Sequence, residues 1–265
     1  MNRKLWAALA TGAAVLMGTL TLVPDTAVGD QPVTTRVMVR AIAKDAKVIG
    51  DGVGGAVIHI RDVETGQVLA EGVQRGGTGN TQAIMTDARP RGLTAYGVDP
   101  QAAGFLAELS LSAPTLVDIS AEGPGTPAHA VGRASKTILL IPGHDIVGEG
   151  IILELNGFRV ELLEPSAVRF AGRERLDVRA KITMMCGCPT QPDGLWDSND
   201  FTLVARLLKD GSVVEKDHLA FSGETSVFQA SLPLDAPGNY VLEVIAVDAG
   251  KGNTGMARAE LTVTD

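Results

Sequence analysis

Both cysteines of the chain stand one residue apart, within a Met-Met-Cys-Gly-Cys-Pro segment at residues 184–189. Thiolates and thioethers are soft ligands, and the group Met185, Cys186 and Cys188 suits Cu(I), which accepts low coordination by sulfur. In an oxidising compartment the two cysteines can instead form a disulfide, because the glycine between them allows the Cα separation that this bond needs. The thiols can also remain free or bond to another molecule. The segment therefore predicts a sulfur site whose state stays open at this point.

A disulfide between Cys186 and Cys188 would close a ring of only three residues. Such a ring removes about 1.5 kcal/mol of chain entropy from the unfolded state, against about 3 kcal/mol for a fifteen-residue loop. Stabilisation of the whole fold therefore does not explain the motif. A short disulfide on an exposed loop is the kind that tends to be reducible, and a zinc site would need further nitrogen or carboxylate ligands.

The elements that must hold this motif are β-strands. Short apolar runs separated by turn-forming residues recur at 158–164, 176–184, 201–208, 212–220, 226–232, 239–247 and 256–263. Seven such runs predict one immunoglobulin-like sandwich. Because side chains alternate along a strand, one face of the second run is apolar and faces the core: Leu176, Val178, Ala180, Ile182 and Met184. The same alternation predicts that Met185 is exposed.

The cysteine motif lies in the loop after the second of these strands. In an immunoglobulin-like sandwich that loop shares one end of the fold with two others, here at 222–224 and 248–255. Loops at the end of a rigid sandwich often carry binding sites, so we expect the cysteines to be accessible. We also expect five residues around them to contact a partner: Trp196, Asp197, Asp248, Lys251 and Asn253.

The C-terminal half resembles a bacterial Ig-like domain. The resemblance rests on the stretch from Gly238-Asn239-Tyr240 to Gly252-Asn253-Thr254-Gly255, which is similar to the last two strands of such domains, and it extends over about the last 115 residues. Tyr240 follows the turn at 235–238 as a tyrosine-corner residue would. The resemblance implies a fold and no particular function.

The N-terminal half carries a different signature. The stretch Gly55–Asp62, followed by Glu64–Gly72, resembles the transthyretin-like, carboxypeptidase-regulatory-like β-sandwich, and Thr65-Gly66 would be its hairpin turn. The resemblance implies a small sandwich used for binding or spacing, and it weakens after Gly72.

The ends of the chain and its polar stretches predict the domain organisation. A basic start, an apolar run at residues 5–23 and the small residues Ala27-Val28-Gly29 predict a signal peptide at 1–29, with an uncleaved membrane anchor as the alternative. The glycine-punctuated stretch 142–150 predicts a boundary between a sandwich at 30–149 and a second at 150–265. The predicted fold is therefore all-β, with at most a short helical turn near residues 100–105. It comprises two tandem sandwiches in a periplasmic or secreted protein.

The charge and the missing signatures narrow the function. The formal net charge is −8, and it becomes −9 when cleavage removes Arg3, Lys4 and Asp25. An acidic surface repels nucleic acid and anionic lipid, so we expect neither as a partner and no membrane insertion after cleavage; cationic partners or metal ions are favoured. The chain has no Gly-x-Ser-x-Gly or His-Glu-x-x-His motif, so we expect no enzyme.

The leading hypothesis is an accessory protein that docks another exported protein through the loops of its second domain. The alternative is a periplasmic Cu(I)-binding or thiol-redox protein that uses Met185, Cys186 and Cys188. A further alternative is a surface adhesion or filament subunit that associates through exposed strand edges.

Overall fold

A computed structural model describes residues 31–92, 95–97, 99–165, 168–169 and 174–264. The predicted signal peptide at 1–29 lies outside these ranges. Within them the chain is all-β, with sixteen strands and four helical turns of three to five residues, which confirms the predicted fold class. In the part of the chain that is described, no helix is long and apolar enough to cross a membrane.

The first seven strands form a sandwich of two sheets. They are β1 (Val33–Ala43), β2 (Val57–Asp62), β3 (Val68–Val73), β4 (Phe105–Leu111), β5 (Thr115–Gly123), β6 (Gly132–Leu140) and β7 (Ile146–Leu155). One sheet has the order β4-β1-β7, in which β1 and β7 run parallel, and the other is the antiparallel sheet β3-β2-β5-β6. Thr65-Gly66 lies in the turn between β2 and β3, as predicted, and Gly66 there has a φ of 73°, which favours glycine.

Alternation decides which side chains of this sandwich face its core. In β2, Ile58 and Ile60 are buried between the sheets, whereas His59 between them lies on the outer face, 3.4 Å from a carboxylate oxygen of Glu71. In β2 the buried side chains therefore come from alternate positions, as the period of two requires, whereas residues 39–43 of β1 are all buried.

Two buried polar side chains hold the long connection between β3 and β4. The Gln74 amide accepts a hydrogen bond from the Ala41 N–H and donates to the carbonyl oxygens of Ala41 and Ile49. The Arg40 guanidinium donates to the carbonyl oxygens of Ala102 and Ala103. These bonds add to two isolated bridges that join the ends of the segment, Arg75 with Gly104 and Gly77 with Ala102.

The connection between β3 and β4 also differs from the predicted local structure. A helical turn was expected near residues 100–105; instead, the helical turn of this segment lies at Gln82–Thr86, and β4 begins at Phe105. Periodicity alone does not distinguish a short apolar run in a turn from one in a strand.

The strand β7 continues beyond the polar stretch that predicted the domain boundary. Residues 151–155 pair in parallel with residues 39–43 of β1, and Leu153 and Leu155 are buried. The predicted division between residues 149 and 150 therefore falls inside β7, and the chain leaves the first sandwich at Asn156-Gly157. The prediction placed the boundary too early because the apolar residues that follow Gly148 and Gly150 still belong to β7.

The remaining strands form the second sandwich. They are β8 (Phe158–Glu164), β9 (Val168–Arg169), β10 (Glu174–Met184), β11 (Thr202–Lys209), β12 (Ser212–His218), β13 (Ala220–Phe221), β14 (Val227–Leu234), β15 (Gly238–Asp248) and β16 (Asn253–Thr264). The two sheets have the orders β13-β14-β10-β8 and β12-β11-β15-β16-β9. The seven predicted runs correspond to β8, β10, β11, β12, β14, β15 and β16, so their prediction is confirmed.

Two details of the second sandwich were also predicted correctly. The apolar face of β10, from Leu176 to Met184, is buried at every alternate position. The hydroxyl of Tyr240 donates a hydrogen bond of 2.8 Å to the carbonyl oxygen of Ala236, four residues earlier, which is the geometry of a tyrosine corner.

We expect Tyr240→Phe to lower the free energy of unfolding by about 1 kcal/mol, because it removes this hydrogen bond and keeps the ring. For a protein of this size the melting temperature should fall by about 2–4 °C. Thermal unfolding followed by circular dichroism measures the change. An unchanged melting temperature would show that water replaces the hydroxyl without loss.

Candidate functional site at the junction of the two sandwiches

Cys186 and Cys188 form a disulfide, with their Cα atoms 5.3 Å apart. The turn that carries it is closed by two backbone hydrogen bonds, from Gly187 N–H to the Met184 carbonyl (2.8 Å) and from Met184 N–H to the Cys188 carbonyl (3.1 Å). Gly187 has a φ of 78°, a conformation that favours glycine. In this state the sulfur atoms are not thiolates. Among the described residues, no group of three His, Cys, Asp or Glu side chains is placed to hold a metal ion.

The cysteine motif is buried, which contradicts the expectation that it is accessible. The exposed fraction is 1% for Met185, 3% for Cys186 and 4% for Cys188. The prediction that Met185 faces solvent was wrong because the first sandwich covers this end of the second. Loop position within one sandwich does not reveal a neighbouring domain.

Met185 lies between the two sandwiches, where two glycines leave room for it. A Cβ atom on Gly132 of β6 would lie 2.9 Å from the Met185 Cε atom, and one on Gly157 would lie 3.2 Å from its Sδ atom. The tip of the turn touches the first sandwich directly, since a Cβ atom on Gly187 would lie 2.8 Å from Val53 Cγ1. The Met185 side chain is flexible and could yield to a methyl group at residue 132 or 157, so the requirement for glycine is strongest at Gly187, where the neighbour is the short Val53 side chain and φ is positive.

Trp196 and Lys251 bind the same residue of the first sandwich. The indole N–H of Trp196 donates to the Asp45 carbonyl oxygen at 2.9 Å, and the Lys251 ammonium lies 2.9 Å from the Asp45 carboxylate. The hydrogen bond and the charge of Asp45 raise the pKa of Lys251. Both partners of this ion pair are largely exposed, so the pair itself contributes at most about 1 kcal/mol. The buried indole contact is the more important of the two.

Asn253 binds the connection between the sandwiches. Its side chain is fully buried, accepts a hydrogen bond from the Gly157 N–H at 2.9 Å and donates to the Lys44 carbonyl oxygen at 3.3 Å. Asn156 donates in return to the Gly252 carbonyl oxygen at 3.1 Å. The loop between β15 and β16 is therefore bonded to both sides of the connection.

The loop between β5 and β6 forms a second contact region, which the sequence does not predict. A ring nitrogen of His129 donates to the Val160 carbonyl oxygen of β8 at 2.7 Å. The Arg159 guanidinium, also on β8, donates to the Thr126 carbonyl oxygen at 2.8 Å. No spacing or periodicity marks these residues, because their partners lie about 30 residues away on another domain.

Asp197 and Asp248, which were also predicted to bind a partner, instead stabilise the conformation of loops. The Asp197 carboxylate accepts the backbone N–H groups of Asn199 and Asp193, at 2.9 and 3.0 Å. The buried Asp248 carboxylate accepts the backbone N–H of Lys251 at 3.1 Å. Of the five predicted residues, three thus contact the chain's own first sandwich, and these two order the loops that do so.

A cavity of about 350 Å³ opens beside these contacts. Its walls include apolar and aromatic side chains, four carboxylates and one ammonium group. Its lining comprises Asp45, Met184, Leu195, Trp196, Asp197, Asp200, Phe201, Asp248, Gly250 and Lys251. Leu195, which is 50% exposed, adds an exposed apolar group to this lining. Asp45 of the first sandwich completes this lining, and the other nine residues belong to the second sandwich.

No protein-family model and no curated protein matches the chain. Fibronectin(III)-like modules of Clostridium thermocellum CbhA are 13% identical and cover 88% of this chain and 94% of their own, with a TM-score of 0.26. Dpr2 Ig1-Ig2, in complex with DIP-Theta Ig1-Ig3, is 10% identical and covers 87% of this chain and 100% of its own, with a TM-score of 0.28. An I-band fragment from titin is 13% identical and covers 88% of this chain and 65% of its own, with a TM-score of 0.23. Likenesses of this strength carry no argument about function.

We expect Gly187→Ala to separate the sandwiches and Gly211→Ala to leave them docked. Both glycines have a φ of 78°, so each change costs about 1 kcal/mol of backbone strain. Only at Gly187 does the new methyl group also meet a side chain, Val53, since the space around Gly211 is open. Small-angle scattering should therefore show a larger radius of gyration for Gly187→Ala alone. Equal radii for the two variants would contradict the role of this contact.

Proposed function

We propose that the protein is an exported, non-catalytic binding protein that takes up a cationic segment of another exported protein. The binding site is the cavity at the junction of the two sandwiches. This cavity is the observation that carries the proposal, because ligand sites favour the clefts between domains. The partner thus binds next to the loops that were predicted to dock it, at a surface that both sandwiches form.

The chemistry of the cavity favours a guanidinium or ammonium group. Asp197, Asp200 and Asp248 contribute negative charge, and the single cation, Lys251, is already paired with Asp45. Aromatic walls attract a cation through the negative face of the ring. The net charge of −8 for the whole chain also steers a cationic partner toward the protein.

The same lining supports binding rather than turnover. The cavity is lined by Trp196 and Phe201 among ten residues that include no histidine, serine, threonine or cysteine. The wall therefore lacks the hydroxyl or thiol nucleophile and the imidazole base of a Ser-His or Cys-His arrangement. The carboxylate of Asp197 is already occupied by two backbone N–H groups.

Cu(I) binding would require the motif to be in a different state. Met185, Cys186 and Cys188 are buried, and the two sulfur atoms are bonded to each other, so a copper site would require reduction and an open turn. Titration of the reduced protein with Cu(I), beside the same titration of Met185→Leu, distinguishes the two functions. The copper function predicts tight one-to-one binding that Met185→Leu weakens, whereas our proposal predicts that the loss of the thioether leaves any Cu(I) affinity of the reduced thiols unchanged.

We expect N-acetyl-arginine amide to bind the cavity more tightly than its neutral counterpart N-acetyl-glutamine amide. In NMR titrations it should shift the indole N–H signal of Trp196 and the backbone signals of residues 197–201 and 248–251. Asp200→Asn should weaken binding by about three- to tenfold, because it removes one charge from the wall.

The matched control is Asp217→Asn, which makes the same charge change on the exposed strand β12. This variant should bind the probe as the unchanged protein does. If both variants weakened binding equally, the loss of affinity would come from the overall charge of the protein and not from the cavity. An absence of shifts at the cavity with N-acetyl-arginine amide would refute the proposed function.

A further inference from the structure

The disulfide lies at the junction of the two sandwiches, neither in the core of one of them nor on the surface. The chain has only two cysteines, so this is its one possible internal disulfide. A three-residue ring adds too little chain entropy to matter for the stability of the whole fold. The disulfide instead constrains the turn at residues 184–188, which contacts both sandwiches.

We propose that the Cys186–Cys188 disulfide is a redox-controlled lock on the docking of the two sandwiches. The oxidised turn fits between them, and reduction by a dithiol releases it. This proposal goes beyond the function proposed above, because it holds whether or not the cavity binds a cationic partner.

The turn depends on the bond because its surroundings are closely packed. When the bond is broken, the two sulfur atoms must separate to van der Waals distance. Cys186 and Cys188 are both almost fully buried, so they have no solvent into which to move. A close-packed interior transmits such a displacement to its neighbours. The backbone of the turn, closed by only two hydrogen bonds, must therefore widen.

The neighbours that would be displaced are the contacts that dock the sandwiches. On one side of the motif, Met185 fills the space between Gly132 and Gly157. At the tip, Gly187 touches Val53. A wider turn pushes both groups against the first sandwich, so reduction weakens the junction and leaves the interior of each sandwich intact.

The chemical step is a thiol–disulfide exchange. A thiolate of the dithiol attacks one protein sulfur and forms a mixed disulfide, and the thiolate of the other cysteine leaves and takes up a proton. The second thiol of the reagent then closes a ring and releases the first cysteine. The dithiol is oxidised to a cyclic disulfide, and Cys186 and Cys188 each become a thiol. Two electrons and two protons are transferred in total.

Docking and reduction must influence each other in both directions. If reduction weakens docking, then docking disfavours reduction by the same factor, because the two equilibria are linked. The burial of both cysteines adds a kinetic barrier, since a dithiol reaches them only when the junction opens. The rate of reduction therefore reports how often the sandwiches separate.

Hydrogen exchange in the protein from Asp30 onward tests the lock, before and after treatment with dithiothreitol. Mass spectrometry confirms reduction by the gain of two hydrogens. The indole N–H of Trp196 and the backbone N–H of Gly157, both bonded at the junction, should exchange about tenfold faster after reduction. Amide groups inside each sandwich, such as those of Ile119 and Ala205, should keep their rates.

The double variant Cys186→Ser with Cys188→Ser should reproduce the exchange pattern of the reduced protein. Unchanged rates at Trp196 and Gly157 after complete reduction would overturn the proposal. A uniform rise that includes Ala205 would also overturn it, because the disulfide would then stabilise the second sandwich itself.

A second pair of variants leaves the cysteines in place. Val53→Ala removes the contact at the tip of the turn and should speed reduction by dithiothreitol about threefold or more, since the loss of buried methyl groups weakens the junction. Val63→Ala makes the same change at an exposed position of the first sandwich and should have no effect. Equal reduction rates for the two variants would show that access to the disulfide does not depend on docking.

Discussion

The turn at residues 184–188 packs against the first sandwich, and this contact fixes how the two sandwiches fit together. Met184 belongs to the core of the second sandwich, and Met185, the next residue, packs against the first. Two consecutive side chains at the end of β10 thus point into two different regions. The buried apolar residues of both sandwiches form one continuous cluster, which includes these two methionines. Because this cluster is shared, the loops on either side, with Asp45 and Trp196, are brought within hydrogen-bonding distance.

The second sandwich could be predicted from the sequence because its signals are local. Each of its seven main strands shows a run of alternating or apolar residues between turn residues, and the tyrosine corner at Tyr240 needs only a contact four residues away. The segment before β4 could not be predicted in this way. It is held by Arg40 and Gln74, whose partners lie 25 to 108 residues away in the chain. No spacing pattern in the sequence predicts such long-range bonds.

At the candidate site, the sequence predicted the docking surface but not what the surface binds. Polar and aromatic residues at the end of a sandwich predicted a docking surface, and Trp196, Lys251 and Asn253 do form one, but it binds the first sandwich of the same chain. Interfaces between domains resemble interfaces between proteins, so residue types alone cannot tell the two apart. The glycines at 132 and 187 were the available signal, since each marks a close approach, yet a sequence does not say what approaches.

The distance between the two sandwiches in solution shows whether the buried turn holds them in one arrangement. Spin labels carried by unnatural amino acids at Ser135 of β6 and Lys216 of β12, both exposed, leave the disulfide untouched. Double electron–electron resonance should then give one narrow distance distribution, because the buried turn and its glycine contacts permit a single docked arrangement. A broad distribution, extending to longer distances in the oxidised protein, would contradict the account, because the sandwiches would then move independently and the junction cavity would not persist.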